Sequence, residues 1–325
     1  MIRYELKKIF GSVGGKIALG LYIATVILSC FLAANGFMNV DVKWVNEQGE
    51  SERGFQAVQK LREARNEWEG YLDQEMLTKV IQENSRINAT PEGQSSNVQK
   101  SNIAYGWKQG FSPIREMINR SYSVGFRTYD YYRADGISVI KEETFYGNRT
   151  RQLKDWLYDK TDVAYDLYTE AEKQYLIGQY EKLETPFYVD YHDGWYQLLE
   201  NAALLPMLGI LIIGYMVAGI FSNEFKWKAD TVYFSTLLGR NKATSAKIKA
   251  GLLLVTVLYW AAMLIYSFVT LGYLGFEGGN CVVQLRVWKS LYNITFWQAW
   301  VLTLICGYIG NLFLTALPMF ISAKT

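Results

Sequence analysis

Between residues 221 and 249 the chain reads FSNEFKWKADTVYFSTLLGRNKATSAKIK. Apolar runs flank this stretch, Asn201–Ser222 before it and Ala250–Phe276 after it, neither containing a charged residue. From Asn223 to Lys249 it carries Lys226, Lys228, Arg240, Lys242, Lys247 and Lys249 against only Glu224 and Asp230. Lysine and arginine concentrate on the cytoplasmic side of membrane spans, so a short basic connector between two span-length segments reads as a cytoplasmic loop. Inside it, Val232, Tyr233, Phe234, Leu237 and Leu238 form an apolar cluster. That cluster predicts a short amphipathic helix lying along the membrane or against a partner. Gly239 ends it, with Arg240 just beyond.

With the loop placed inside, the other segments take their sides. Half of the 325 residues are hydrophobic, yet a fifth are charged, which suits a membrane protein with a large aqueous domain. The segment Asn39–Leu198 has 20 Lys/Arg against 26 Asp/Glu, net −6. The remaining residues have 13 against 5, net +8, so the basic share lies beside the apolar runs. Ile17–Met38 is long enough for a first span, at roughly 1.5 Å of helix per residue across a hydrocarbon core of about 30 Å. Before it, Ile2, Leu6, Ile9 and Phe10 share one helical face, with Arg3, Lys7 and Lys8 elsewhere. Residues 1–16 therefore read as a helix at the cytoplasmic interface, with Gly14-Gly15 bending the chain into the membrane. The run Gly11–Lys16 is no nucleotide loop, because Phe10 and Ile17 stand where that motif needs glycine and Ser/Thr.

Residues 39–198 are predicted to be extracytoplasmic and mostly helical. Leu61, Ala64, Trp68, Leu72, Met76 and Val80 recur at three or four, predicting one long amphipathic helix from about Glu52 to Asn84. Ser112-Pro113 starts another helix with Ser112 as its N-cap, and Thr169-x-x-Glu172 is a capping box. The strand signal at Ile137–Ile140 is too short to build a sheet on. Second, third and fourth spans follow at 199–222, 250–276 and 293–321, with a short outer loop at 277–292. Trp195, Trp297 and Trp300 suit the outer interfacial belt. The predicted class is an all-α membrane protein with an N-terminal interfacial helix, four transmembrane helices and a large helical extracytoplasmic domain between the first two.

Chemistry is sparse. Cys30, Cys281 and Cys306 all lie outside the long polar segment, which excludes a disulfide framework or a zinc set within it. His192 is the only histidine; alone it supplies no metal site, and with Asp193 it makes no catalytic pair. It reads as a turn residue before the second span. No nucleophile motif, metal set, cofactor-binding motif or placed acid–base pair emerges, and nothing points to nucleic acid. Tyr122, Phe126, Tyr129, Tyr131 and Tyr132, with Arg127 and Arg133 interleaved, form a cluster that would stack on a peptide or lipid-like ligand or pack as core.

Phe221, Glu224, Thr231, the run Ser235–Lys242 and Ala246-Lys247 together resemble the loop after the second helix of ABC-2 type transporter permeases. The family pattern is a Phe and an acidic residue leaving the membrane, a Gly-Thr step, a Leu/Ser-rich helix, a Gly/Ser-Arg turn and a Lys entering the third helix. Asp230 stands where the family commonly has the Gly of that step. The stretch from Thr185 through Trp195 resembles the approach to the second span in a Gram-positive branch. The resemblance implies a multi-pass permease of a bacterial cytoplasmic membrane, with a cytoplasmic N-terminus and an elbow helix at 1–16. It implies docking of the 223–249 loop on a separate ATPase subunit through Glu224, Thr231, Phe234, Leu237, Gly239, Arg240 and Lys247. It also implies a second permease copy or paralogue, and export of a peptide-like or hydrophobic compound. Six spans are usual in the family and four are read here, so the resemblance further implies truncation after the fourth. The alternative from another class is a membrane-anchored receptor or sensor with a ligand-binding ectodomain.

Overall fold

Four helices among the described residues are long and apolar enough to cross a membrane: Val13–Asn35, Asp193–Phe225, Asn241–Leu274 and Phe296–Lys324. The chain is thus a multi-pass membrane protein. The structure is a computed structural model that describes residues 1–35, 42–226, 228, 231, 235–236 and 238–324. It divides into two units, one built on the four spans and the other from Asp41–Tyr196 together with Leu274–Ala299.

In the spanning unit, helix Ile2–Gly11 gives way to the first span at Ser12, whose backbone is extended. The bend therefore falls before Gly14-Gly15 rather than at them. The glycines are needed for closeness: a Cβ on Gly15 would lie 1.9 Å from the Ile9 carbonyl oxygen, and one on Gly14 2.7 Å from the Tyr215 hydroxyl. Ile9 is buried with Ala18, Val217, Ile220, Ala250, Leu254 and Met319, and Ile2, Leu6 and Phe10 pack around that core. The predicted apolar face is the one that packs. Within this apolar surround a lone polar group needs a partner. The Tyr22 hydroxyl donates to the Leu258 carbonyl at 3.0 Å, Tyr259 to Leu304 at 2.7 Å and Tyr266 to Leu198 at 3.0 Å. The second span is interrupted twice, at the turn before Leu204 and again at Gly219, leaving Leu204–Ala218 as its central helix. The third helix begins at Thr244, inside the stretch assigned to the loop, and runs to Leu274.

The polar unit is helical, tied by two ribbons of two strands each. Strands β1 (Trp44–Val45) and β2 (Ser51–Glu52) pair antiparallel, with Trp44 opposite Glu52. Strands β3 (Gly70–Tyr71) and β4 (Tyr188–Val189) pair with Gly70 opposite Val189. The long helix expected from Glu52 to Asn84 is instead two helices, Phe55–Asn66 and Gln74–Asn88. Gly70 has φ +142°, and Asp73 caps the second helix by accepting from Met76 N, so the break has its own residues. Ser112 is the first residue of its helix, not the cap; Phe111 holds the cap position, and the Ser112 hydroxyl donates to the Gln109 carbonyl. The capping box at Thr169 and Glu172 forms in both directions.

Residues 277–292, expected as a short outer loop, are mostly turns packed into the polar unit. Trp288, Leu285, Gln284 and Cys281 are buried in the polar unit. Arg149 holds the segment there: its guanidinium donates to the carbonyls of Trp288 (2.8 Å) and Ser290 and stacks 3.6 Å from the Tyr180 ring. The Tyr180 hydroxyl in turn donates to the Lys289 carbonyl at 2.7 Å. Burial pushes the Arg149 pKa down, to about 10. A second buried knot joins three helical segments: Arg115 spans both oxygens of Asp135 at 3.0 Å and donates to Asn84 at 3.1 Å.

Candidate functional site

Glu224 leaves the second span and Lys247 lies in the first turn of the third helix, 23 residues later. The structure brings them together. Lys247 Nζ donates to Glu224 Oε1 at 2.8 Å, to Glu5 Oε2 at 3.0 Å and to the Ile220 carbonyl at 2.8 Å. Three acceptors thus surround an ammonium that carries three hydrogens. Lys8 Nζ donates to the same Glu224 oxygen at 2.8 Å and reaches Glu5 Oε1 at 3.3 Å. Each carboxylate therefore touches both lysines, and the four groups close a charge-balanced ring. Only 1% of the Lys247 side chain is exposed, against 41% for Lys8.

Two segments supply this ring's partners by simple geometry. Glu5 and Lys8 lie three apart and share a face of helix Ile2–Gly11, whose apolar side is anchored on the spans. Glu224 lies in the short helix Ser222–Lys226, whose first backbone N–H, with that of Phe221, donates to the Ser322 hydroxyl at 3.0 and 3.1 Å. Burial opposes charge on Lys8, but the hydrogen bond to Glu224 and the attraction of Glu5 outweigh it and its pKa rises. A cavity of about 270 Å³ opens beside the ring, lined also by Gly14, Tyr215 and Asn223.

Of the loop residues expected to form a docking surface, Glu224 and Lys247 are joined, and Thr231 is exposed. Gly239 and Arg240 fall in a π-helical turn, Leu238–Ala243, that leads into the third helix. Phe234 and Leu237 lie outside the described residues. Sequence reading missed Glu5 and Lys8 as partners. The available signal was that Glu5 is the only acidic residue before Asp41, in an otherwise basic segment.

The aromatic cluster of the polar unit does not form one surface. Phe126 turns inward and stacks on Trp156 at 4.9 Å. Tyr129, Tyr131 and Tyr132 face outward, with Arg120 over Tyr129 and Arg115 over Tyr131 at 5.0 and 4.7 Å. Tyr122 is half-buried, and its carbonyl accepts from Arg133 at 2.8 Å.

His192 directly precedes the second span, which starts at Asp193. It is buried, stacked on Phe296 with ring centroids 5.3 Å apart. Arg286 Nε–H donates to its Nε2 at 3.1 Å, so the ring's own proton sits on Nδ1 and is donated to the Asp190 carbonyl at 2.6 Å. Burial and the nearby Arg286 hold the imidazole pKa well below the usual histidine value. Asp193 beside it meets two guanidiniums, those of Arg286 and Arg65. Burial and Arg286 push the Arg65 pKa down, to about 9. A neutral histidine whose two nitrogens are both engaged is a structural element, not a proton shuttle.

No protein-family model, no curated protein and no solved structure matches this chain. Among the described residues no group of three or more His, Cys, Asp or Glu is placed to hold a metal.

Proposed function

We propose that this chain is the transmembrane permease subunit of an ABC-2 type exporter in a bacterial cytoplasmic membrane. In this reading the N-terminus and the 223–249 loop are cytoplasmic, and residues 39–198 are extracytoplasmic. A separate ATPase subunit binds and hydrolyses the nucleotide, so the chain itself is not an enzyme. A second permease copy or paralogue completes the pathway, and the cargo is a peptide-like or hydrophobic compound.

The observation that carries this reading is the ring joining Glu224 to Lys247. It ties together the two ends of the loop that resembles the family's docking loop, and it ties both to the N-terminal helix. A force applied to the loop by a partner would reach the second span, the third helix and the N-terminal helix through one set of ion pairs. Ionic contacts suit that task because they are directional and can re-pair, whereas the apolar residues of the loop would supply affinity.

The test is co-purification of the ATPase with the affinity-tagged full chain. Truncating a buried apolar anchor costs an interface roughly 2–4 kcal/mol, while a rim charge costs much less. Phe234→Ala or Leu237→Ala is expected to release the ATPase, and Lys242→Ala to leave the complex nearly intact. If the apolar substitutions retain the ATPase while the protein inserts normally, the loop is not its docking surface. The outward-facing tyrosines favour a receptor as the second reading. That reading predicts ligand binding by the polar unit and no co-purifying ATPase at all.

A further inference from the structure

An open crevice of about 540 Å³ lies wholly within the polar unit. Trp195, Trp297, Tyr188 and Phe276 line it together with the carboxylates Asp190 and Glu277. Its walls are held from several directions. The Trp195 indole N–H donates to the Phe276 carbonyl at 2.9 Å, which fixes that ring. Trp297 meets it edge-on, with centroids 5.6 Å apart and planes at 89°. Gly279 lies so close over Trp195 that a Cβ there would sit 2.8 Å from the ring, so only glycine allows this approach. The backbone N–H of Trp297 donates to the Gly279 carbonyl at 2.8 Å, clamping the segment to the second indole.

The charge is arranged on one side of this frame. Asp190 accepts from Tyr191 N at 2.6 Å and from Gly278 N at 3.0 Å, which orients both its oxygens. Glu277 meets Arg62 through Oε1, while its Oε2 is buried with no hydrogen-bond partner. That oxygen is sealed off, but the Glu277 side chain as a whole is 36% exposed and lines the crevice, so its negative charge acts there. Cys281 lines the crevice as well. Burial pushes its thiol pKa up to about 12, and the negative charges of Asp190 and Glu69 add to the rise. The Trp297 ring, half exposed, presents its π-system beside these carboxylates.

We propose that this crevice is a binding site for an ammonium group, held against the faces of Trp297 and its aromatic neighbours and balanced by Glu277 and Asp190. Aromatic rings attract cations through their quadrupole, best at tryptophan, and carboxylates nearby add Coulombic attraction. A neutral ligand of the same shape gains neither. Arg62 is the internal competitor: it neutralises part of Glu277, so removing it strengthens the site. The ammonium has two chemical sources, a soluble amine or the headgroup of a choline-type phospholipid. The proposal is independent of the transporter reading.

Binding of radiolabelled choline to the full chain tests it, with the chain reconstituted in nanodiscs of phosphatidylglycerol, which lacks ammonium. Choline is expected to bind and tetramethylammonium to displace it, whereas the neutral isostere 3,3-dimethyl-1-butanol does not. Glu277→Gln and Trp297→Leu each weaken binding by about tenfold, the scale of a partly desolvated cation–π or ion-pair contact. Arg62→Gln tightens it several-fold, a direction that damaged folding would not produce. Loss of choline binding in phosphatidylcholine nanodiscs identifies the lipid headgroup as the source; retention identifies a soluble amine. The proposal fails if choline and the neutral alcohol bind alike. It also fails if choline does not bind in phosphatidylglycerol, or if Arg62→Gln leaves the affinity unchanged.

Discussion

The two buried ionic clusters around Glu224 and around Asp193 solve the same problem in opposite ways. In the spanning unit two carboxylates face two ammoniums, and every acid touches every base. In the polar unit a single carboxylate, 2% exposed, faces two guanidiniums beside a neutral histidine. The first arrangement has redundancy: any one group can be lost and the others still find opposite charge. The second has a keystone. Burying a charge is tolerable only with compensating charge or hydrogen bonds, so the two clusters should respond differently to the same kind of substitution.

The largest effect is expected at the keystone. Asp193→Asn strands two buried arginines, and loss of a buried pair's partner costs about 3–5 kcal/mol. Thermal unfolding of the full chain in detergent reads this. Arg65→Met removes the surplus cation and should cost clearly less than Asp193→Asn. The reverse order would mean that Asp193 is not what holds the cluster.

Lys247→Met should fall below that, at about 2–3 kcal/mol, because Lys8 remains for both carboxylates. A double-mutant cycle of Lys247→Met with Glu224→Gln should return a coupling of at least about 1 kcal/mol. Additivity of the two would break the claim that these groups act as a ring.

Proton linkage separates the clusters further. His192 has its pKa lowered in the fold, so its contribution is full above about 6.5, the unfolded value, and is lost as pH falls below it. Stability should drop by up to about 1.4 kcal/mol per pH unit there, and His192→Gln should remove that slope. Lys8 has its pKa raised, so its contribution is full below about 10.5 and is lost as pH rises through the folded value. Lys8→Met should flatten alkaline unfolding. The smallest effect belongs to Tyr132, which is 70% exposed: Tyr132→Ala should change stability by less than about 0.5 kcal/mol.

What could be read without coordinates follows the range of the interactions. The spans were legible because exclusion of charge over 20 or more residues is a local property of the chain. The Thr169 capping box was legible for the same reason, its two bonds closing within three residues. The break at Gly70 was not, because the helical period of Leu61 to Val80 continues through it. Only the pairing of Gly70 with Val189, 119 residues away, shows why the chain extends there. The role of 274–299 was hidden likewise: Arg149 reaches Trp288 across 139 residues, and nothing near either one announces it. Glu224 and Lys247 were singled out by the loop's resemblance to a known family, but their partners Glu5 and Lys8 lie more than 200 residues from Glu224 in the sequence.

In the proposed function the ring at Glu224 transmits between a partner ATPase and the spans. The direct test is ATP turnover in membranes holding the full chain with Glu224→Ala, measured beside the amount of ATPase that co-purifies. Glu224 sits where the second span meets the loop, so its loss should uncouple more than it unbinds. Coupling energies of 1–3 kcal/mol correspond to roughly 5–150-fold, so substrate-stimulated turnover should fall by about tenfold or more. Co-purified ATPase should stay within about twofold of the unsubstituted chain, as expected for a residue outside the apolar contacts. Unchanged turnover with an intact complex, or loss of the complex in proportion to turnover, would contradict the claim.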